Sequence, residues 1–233
     1  MNKNDKRLLL QGITGLALFA VWTALVLTVD VGIAGEAGTE VGFAAFNRWF
    51  HQWTGTHWAL YRITDWLGLV PVAVCLSFGC LGLWQLLKRK SLLRVDGDLI
   101  LLGFYYILVV AEYLIFEMFP VNYRPVLIEG RPEASYPSST TLLVLSVMPT
   151  LVYQGNRRLR SSWAKSLLRI SVGLFSLFTV AGRAFSGVHW ITDIVGALLL
   201  SGGSFRLYEA MTNIGRSKWN SVKNSSSSEK AGA

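Results

Sequence analysis

Apolar stretches of about bilayer length recur along this chain, and they limit its fold more than any other feature. In six of them charges are absent, single or confined to the ends: 8–29, 66–87, 99–116, 138–156, about 168–184 and about 190–207. At 1.5 Å per residue, about 20 helical residues cross the hydrocarbon core of a membrane. The sequence therefore predicts an all-α fold, a six-span transmembrane helical bundle.

The composition excludes an ordinary soluble domain, because 52% of the 233 residues are hydrophobic and the mean hydropathy is +0.41. The first span is longer than a typical signal-peptide core, and no clear small-residue cleavage site follows it. We therefore expect it to be retained. Cys75 and Cys80 lie inside the second span. We expect them to be small packing residues, with no disulfide framework or metal site.

The formal charge of +8 is distributed by loop. All but five of the 22 Lys and Arg residues lie near the N-terminus, in 88–94, in 157–169 or beyond 205. The five others fall in the alternate segments: Arg48, Arg62, Arg124, Arg131 and Arg183. The positive-inside rule then predicts a multi-pass protein of the cytoplasmic (plasma) membrane with both termini in the cytoplasm. Because the charge encodes topology, we expect no nucleic-acid partner, and we expect some affinity for anionic lipid.

The chain is expected to form one membrane domain, residues 1–212, followed by a disordered cytoplasmic tail, 213–233, with a serine run at 225–228. The outer loop 31–65 contains an aromatic stripe at roughly helical spacing: Phe43, Phe46, Phe50 and Trp53. This pattern predicts an amphipathic helix in the outer membrane interface. We interpret His51 and His57 as interfacial residues of that loop.

Charged residues interrupt the apolar sequence between Gly182 and Asp193. Such residues are costly in a spanning segment, and they usually face a partner, a cavity or a substrate. His189 and Asp193 are four residues apart, so on a helix they share one face, and the carboxylate can reach one ring nitrogen. The other nitrogen is then free to attack or to accept a proton. Arg183 lies across a short Ser-Gly turn and can return its guanidinium to the same point. This combination suits a phosphoryl group.

Two more polar clusters are predicted on the same outer side. One extends from Asn122 to Pro132 in the loop after the third span, and the other is Tyr136–Thr140 at the start of the fourth. Proline followed by hydroxyl residues is typical of a helix start, which binds anions through free N–H groups and the helix dipole. Capping alone explains Pro137-Ser138 about as well. Three clusters on one face favour an anion site.

The three clusters resemble the signature motifs of the type 2 phosphatidic acid phosphatase family, which shares its core with vanadium haloperoxidases. The family patterns are Lys-x6-Arg-Pro, Pro-Ser-Gly-His and Ser-Arg-x5-His-x3-Asp. The third pattern is matched by Arg183, His189 and Asp193, with Gly182 in place of its Ser. The second is matched by Pro137-Ser138, with Ser139 in place of Gly and Thr140 in place of His. The resemblance covers about residues 99–208.

The first pattern has two possible registers. In one, Arg124-Pro125 is the Arg-Pro pair and Glu117 occupies the Lys position. In the other, Arg124 occupies the Lys position and Arg131-Pro132 is the Arg-Pro pair. Arg124 is implicated in both.

The resemblance implies a metal-free and cofactor-free reaction in which the third-motif histidine attacks phosphorus and forms a phosphohistidine that water hydrolyses. Carried over, His189 is the nucleophile, Asp193 orients it, and Arg183 with Arg124 or Arg131 holds the phosphate oxygens. Ser138 and the N–H groups of residues 138–140, including Ser139 and Thr140, complete the cradle. The resemblance thus implies an integral-membrane lipid phosphatase or diphosphatase, with a phosphate- or diphosphate-bearing lipid substrate and its active site at the outer face.

Thr140 is the main departure, because the family's histidine at that position protonates the leaving oxygen and threonine is a poor acid. One explanation is that another group replaces it, and the candidates are Glu117, Glu133 and Tyr136. Alternatively, the substrate has a good leaving group, as in a polyprenyl diphosphate. A third possibility is lost hydrolysis with lipid-phosphate binding retained. A lipid phosphotransferase that passes the group from His189 to another acceptor is a further alternative. The sequence indicates no oligomeric state.

Overall fold

The computed structural model describes residues 1–231 and, apart from Leu93, the side chains of residues 1–216. This part of the chain is mostly helical, with the helices α1 (Lys3–Thr28), α2 (Ala44–Thr54), α3 (Trp58–Leu67), α4 (Leu69–Arg89), α5 (Gly97–Met118), α6 (Ser139–Arg158), α7 (Ser162–Phe185) and α8 (Ile191–Ala231). A 3-10 turn, Leu92–Arg94, joins α4 to α5. Each predicted span corresponds to one of the long helices.

Within the described residues, four helical segments are long and apolar enough to cross a membrane: Lys3–Thr28, Trp58–Arg89, Gly97–Met118 and Ser162–Phe185. The second of them joins α3 to α4 at Gly68. The prediction of a helical membrane protein is therefore confirmed. Helices α6 and α8 are more polar and bury much of their surface against the others. That they also cross the bilayer, as six spans require, stays a prediction.

Helix α8 lies against α1 and α6 in the centre of the bundle. A Cβ atom on Gly15 would lie 2.8 Å from the Cα atom of Gly203, so glycine lets α1 and α8 approach backbone to backbone. Small residues serve the same purpose at many membrane helix interfaces. Beside α5, the Tyr208 ring stacks on Tyr105 at 4.8 Å and its hydroxyl accepts a hydrogen bond from Gln154. The Gln154 amide and the Tyr208 hydroxyl are thus paired with each other inside the bundle.

The segment 31–65, predicted as an outer loop with an amphipathic helix, also contains a short hairpin. It begins with two antiparallel strands, β1 (Gly32–Ala34) and β2 (Thr39–Val41), which the prediction of an all-α fold did not include. The hairpin packs on Trp190 and on the loop after α5, where the Glu36 N–H donates to the Pro125 carbonyl. Helix α2 follows, with Phe46, Trp49 and Trp53 largely exposed. Its place in the membrane interface stays a prediction.

The connecting segments separate into two groups at opposite ends of the bundle. One end gathers the basic segments, where Arg157 and Arg158 both approach Asp98 at the start of α5. The other end gathers the hairpin, α2, the α5–α6 loop and the α7–α8 turn. The backbone of α8 continues as helix into the predicted tail 213–233. Its side chains beyond 216 and residues 232–233 lie outside the described residues, so the disorder of the tail stays a prediction.

Candidate active site

The turn between α7 and α8 packs against residues 55–57, which connect α2 to α3. Gly187 has a φ of +69°, and a Cβ atom there would lie 1.9 Å from the Gly55 carbonyl oxygen. Only glycine tolerates both the left-handed backbone and this approach. The His57 N–H donates to the Ser186 carbonyl at 2.9 Å and ties the two segments together. These contacts with the connection between α2 and α3 therefore fix the turn that carries His189.

His189 precedes α8 and is almost fully buried, with 2% exposure. The expectation that His189 and Asp193 share one helix face was therefore wrong, although the two side chains do meet. Nδ1 of His189 lies 3.6 Å from Oδ2 of Asp193, beyond a direct hydrogen bond. The Ser135 hydroxyl fills the gap: it lies 3.2 Å from Nδ1 and donates to the same carboxylate oxygen.

Asp193 lies in the first turn of α8, where its carboxylate is fully buried. It accepts hydrogen bonds from the Trp190 N–H at 2.9 Å and from the Asn122 amide at 3.2 Å. A carboxylate at a helix N-terminus is also favoured by the helix dipole. Asp193 thus caps the N-terminus of its own helix and also binds the Ser135 hydroxyl next to the imidazole.

The other ring nitrogen of His189 faces Arg183. One guanidinium nitrogen of Arg183 lies 3.3 Å from Nε2. Because a guanidinium group can only donate, Nε2 accepts and the ring proton is on Nδ1. Nδ1 lies 3.2 Å from the Ser135 carbonyl oxygen, which can accept a hydrogen bond from the Nδ1–H group. The Nε2 lone pair therefore points towards Arg183.

The electrostatic surroundings keep the imidazole neutral. Burial, and then the positive charges of Arg124 and Arg183, hold the pKa of His189 well below its ordinary value. A neutral imidazole with its Nδ1 proton held by the protein can attack an electrophile through Nε2.

Arg183 is fully buried at the end of α7. Its guanidinium carbon lies 4.9 Å from the centre of the Tyr61 ring, a cation–π distance. One of its nitrogens lies 3.4 Å from the Asp65 carboxylate. Its Nε is buried without a hydrogen-bond partner among the described residues.

Arg124 approaches the same tyrosine, with its guanidinium carbon 5.8 Å from the Tyr61 ring centre. A β-bridge between Tyr123 and Ala134 fixes its backbone, and its side chain pairs with Glu133 at 3.2 Å. One of its terminal nitrogens is buried and makes no hydrogen bond within the described part of the chain. Buried donors normally find acceptors. Two guanidinium groups with spare donors beside His189 are suited to a bound anion.

The second predicted cluster contributes less directly than expected. Ser138 is buried, and its N–H donates to the Asp193 backbone carbonyl at 3.2 Å while its hydroxyl donates to Thr141. The prediction that the Ser138 N–H is free for phosphate was therefore wrong. Ser139 lines a cavity of about 10 Å³ together with Glu117. The Thr140 methyl group faces Gly68, at the end of α3.

The predicted substitute acids are dispersed. The Tyr136 hydroxyl lies 2.7 Å from the Thr23 hydroxyl and its ring stacks on Phe19, both on α1, so its candidacy as an acid was wrong. Burial also raises the pKa of Tyr136. Glu117 is exposed beside the small cavity, and Glu133 pairs with Arg124.

Arg131 lies in an exposed turn, where its N–H and carbonyl both bond to Ile128. Among the described residues its side chain makes no ion pair or hydrogen bond with the cluster around His189. The structure brings Arg124 to the site and leaves Arg131 outside it. This arrangement favours the register in which Arg124-Pro125 is the Arg-Pro pair.

Three residues of the site were missed from the sequence: Ser135, Tyr61 and Asp65. Ser135 directly precedes the recognised cluster Tyr136–Thr140, so its proximity was the available signal, and Asn122 lay in a recognised cluster without an assigned role. Tyr61 and Asp65 are four residues apart on α3, a helix-face spacing. The aromatic composition around Tyr61 had indicated only a membrane interface.

No family model and no curated protein matches the chain. A solved structure does: the transmembrane PAP2-type phosphatidylglycerolphosphate phosphatase from Bacillus subtilis superposes with a TM-score of 0.62. The match covers 87% of this chain and 96% of that one, at 16% sequence identity. The fold is that of a PAP2-type membrane phosphatase. This likeness agrees with the family resemblance of the motifs.

Proposed function

We propose that this chain is a membrane lipid phosphatase or diphosphatase that works through a phosphohistidine on His189. The observation that carries the proposal is a pair of arginines at a neutral histidine: Arg183 contacts Nε2 of His189, and Arg124 approaches Tyr61 as Arg183 does. Each arginine has one buried nitrogen that makes no hydrogen bond within the described part of the chain. The PAP2-type fold supports it.

The first step follows from this geometry. A phosphate group enters between the arginines and takes over the donors that Arg183 now directs at Nε2. The Nε2 lone pair attacks phosphorus, the bond to the leaving oxygen breaks, and its electron pair leaves with that oxygen. The positive charge that develops on the ring is stabilised at Nδ1 by Ser135 and, through it, by Asp193. Phosphoryl transfer depends chiefly on such positioning and charge stabilisation.

The substrate class follows from Thr140. An alcohol leaving group departs as a strong base, whereas a phosphate monoester departing from a diphosphate is weakly basic, with a second pKa of about 6. General acid catalysis typically contributes about 10²–10⁴-fold. A site without the second-motif histidine is best suited to a diphosphate lipid, such as a polyprenyl diphosphate. The Bacillus subtilis protein is named for a different substrate, phosphatidylglycerolphosphate.

We place the reaction at the outer face of the plasma membrane, with both termini in the cytoplasm. The basic segments gather at the end of the bundle away from His189, and such segments usually stay in the cytoplasm. The exposed aromatic side chains of α2 lie at the same end as the site and suit contact with the lipid interface.

The direct test uses purified protein in detergent and a panel of lipid monophosphates and diphosphates, with His189→Ala as the blank. Release of inorganic phosphate by the wild-type protein, and none by His189→Ala, supports the proposal. A trapped phosphohistidine without phosphate release, discharged by an added alcohol or phosphate acceptor, would identify a phosphotransferase. Binding of diphosphate lipid without phosphohistidine would identify a hydrolysis-deficient binding protein.

A further inference from the structure

Helix α3 occupies the space beside two departures from the family motifs. At Gly182, where the family has serine, a Cβ atom would lie 2.5 Å from the Thr64 methyl group. Thr64 is fully buried, so α3 and α7 meet closely at this point. A larger residue at 182 would push α3 away from the end of α7.

Thr140, the other departure, faces the same helix. Its methyl group lies 3.4 Å from the position that a Cβ atom on Gly68 would occupy. The Gly68 N–H in turn donates to the Asp65 carbonyl at 2.9 Å. The end of α3 therefore lies beside the position where the family places its proton-transferring histidine.

This packing brings one carboxylate to the site from α3. Asp65 lies 3.4 Å from one terminal nitrogen of Arg183, while the other terminal nitrogen lies 3.3 Å from Nε2 of His189. The Asp65 side chain is 57% exposed, whereas Arg183 and His189 are almost fully buried. Asp65 is thus a solvent-exposed carboxylate separated from the reacting Nε2 atom by only one side chain, the guanidinium group of Arg183.

The proposed function leaves one proton without an acceptor. Once Nε2 of His189 carries a phosphoryl group, the water that hydrolyses the intermediate needs a base, and the imidazole is no longer free. Thr140 cannot act as that base. We propose that Asp65 is the general base that activates this water, an inference that rests on the proposed function.

The step balances within the site. The water oxygen forms a bond to phosphorus as the P–Nε2 bond breaks, and that electron pair returns to the imidazole. The Asp65 carboxylate takes the proton from water and later releases it to solvent, which its exposure permits. Arg183 and Arg124 hold the phosphoryl oxygens during the transfer. Inorganic phosphate leaves, and neutral His189 is restored.

Glu133 is the competing carboxylate. It is 42% exposed and pairs with Arg124 at 3.2 Å. Glu133 belongs to the α5–α6 loop, whereas Asp65 lies at the end of α3 that faces Thr140 and pairs with the arginine that contacts Nε2. The arrangement therefore favours Asp65, and the two carboxylates can be compared directly.

The test separates formation of the phosphoenzyme from its hydrolysis. Farnesyl diphosphate with a labelled terminal phosphate is mixed with wild-type protein and with the Asp65→Asn, Glu133→Gln and Glu40→Gln variants, the last altering an exposed carboxylate on β2. Farnesyl phosphate, inorganic phosphate and alkali-stable phosphohistidine are followed over time. We expect Asp65→Asn to release one farnesyl phosphate per chain rapidly, to accumulate phosphohistidine and to release inorganic phosphate about 10²-fold more slowly. Glu40→Gln should match the wild type.

A second variant distinguishes proton transfer from support of Arg183. In Asp65→Ala, added formate should restore inorganic phosphate release, because a small carboxylate can enter the exposed position. Slower formation of phosphohistidine with no accumulation and no rescue would show that Asp65 only positions Arg183 and would overturn the inference. Wild-type rates in Asp65→Asn, or accumulation in Glu133→Gln instead, would also overturn it. If wild-type protein forms no phosphohistidine and releases no phosphate, the proposed function itself fails.

Discussion

Arg183 donates a hydrogen bond to the Nε2 atom of His189 across 3.3 Å, so the guanidinium group covers the nitrogen that the proposed reaction uses. Both side chains are almost fully buried. A phosphate group must displace this contact before attack can occur. The hydrogen bond therefore keeps the ring proton on Nδ1, the tautomer that the proposed reaction needs. It is broken when a phosphate group binds.

Replacing Arg124 with alanine should reduce turnover of a diphosphate lipid by about 10²–10³-fold, the size of effect seen when a donor to a developing charge is removed. Arg131→Ala should leave turnover within about twofold, because Arg131 lies in the exposed turn. Steady-state phosphate release by the two purified variants measures the difference. An equal loss in both would restore the register that uses Arg131-Pro132.

Ser135→Ala tests the bridge between the imidazole and the carboxylate. The hydroxyl is buried between Nδ1 and Asp193, so its removal leaves the Asp193 carboxylate with an unmet hydrogen bond, at a cost of about 1–3 kcal/mol. We expect kcat to fall about tenfold or more, with little change in KM. Asp193→Asn should lose at least as much activity. If Asp193→Asn fails while Ser135→Ala retains the wild-type kcat, Asp193 acts on the imidazole without the serine.

The parts predictable from sequence are those that local patterns determine. Apolar length located the helices, and the Arg183, His189 and Asp193 spacing located the centre of the site. Ser135 and Asp65 reach it only through loop closure and helix packing, which leave no periodic signal. Tyr136 was predicted wrongly for the same reason: its neighbours in sequence belong to the site, but its ring packs against α1.

The pH dependence follows from the direction of the His189 shift. Burial and the two arginines lower its pKa, so the nucleophile stays neutral well below pH 6.5 and the acid limb of kcat/KM should lie below that value. Arg124→Gln removes one positive charge, so the His189 pKa should rise and the acid limb should move to higher pH. The folded protein should also lose stability as pH falls below the unfolded histidine value of about 6.5, since the unfolded chain then binds more protons. An acid limb that moves down in Arg124→Gln would contradict this account.

The orientation in the membrane can be tested by cysteine labelling. In a background in which Cys75 and Cys80 are replaced, an impermeant maleimide applied to intact cells should modify a cysteine at Glu129 and spare one at Arg160. Both positions are exposed in the structure, so accessibility differs only by the side of the membrane. The opposite labelling pattern would place the site in the cytoplasm.

Substrate preference tests the consequence of Thr140. In the absence of a general acid, a monophosphate should lose roughly 10²–10⁴-fold in rate, or about 3–5 kcal/mol of barrier, while a diphosphate should lose far less because its leaving group is weakly basic. The wild-type protein should therefore hydrolyse a polyprenyl diphosphate faster than phosphatidic acid.

Thr140→His should narrow the ratio of diphosphate to phosphatidic acid turnover by raising turnover of phosphatidic acid. Thr140→Gln serves as a control of similar size without the ionisable ring. Gly68 leaves the space beside residue 140 without a side chain, which favours entry of the imidazole. Equal or faster turnover of phosphatidic acid by the wild type would show that another group already supplies the proton.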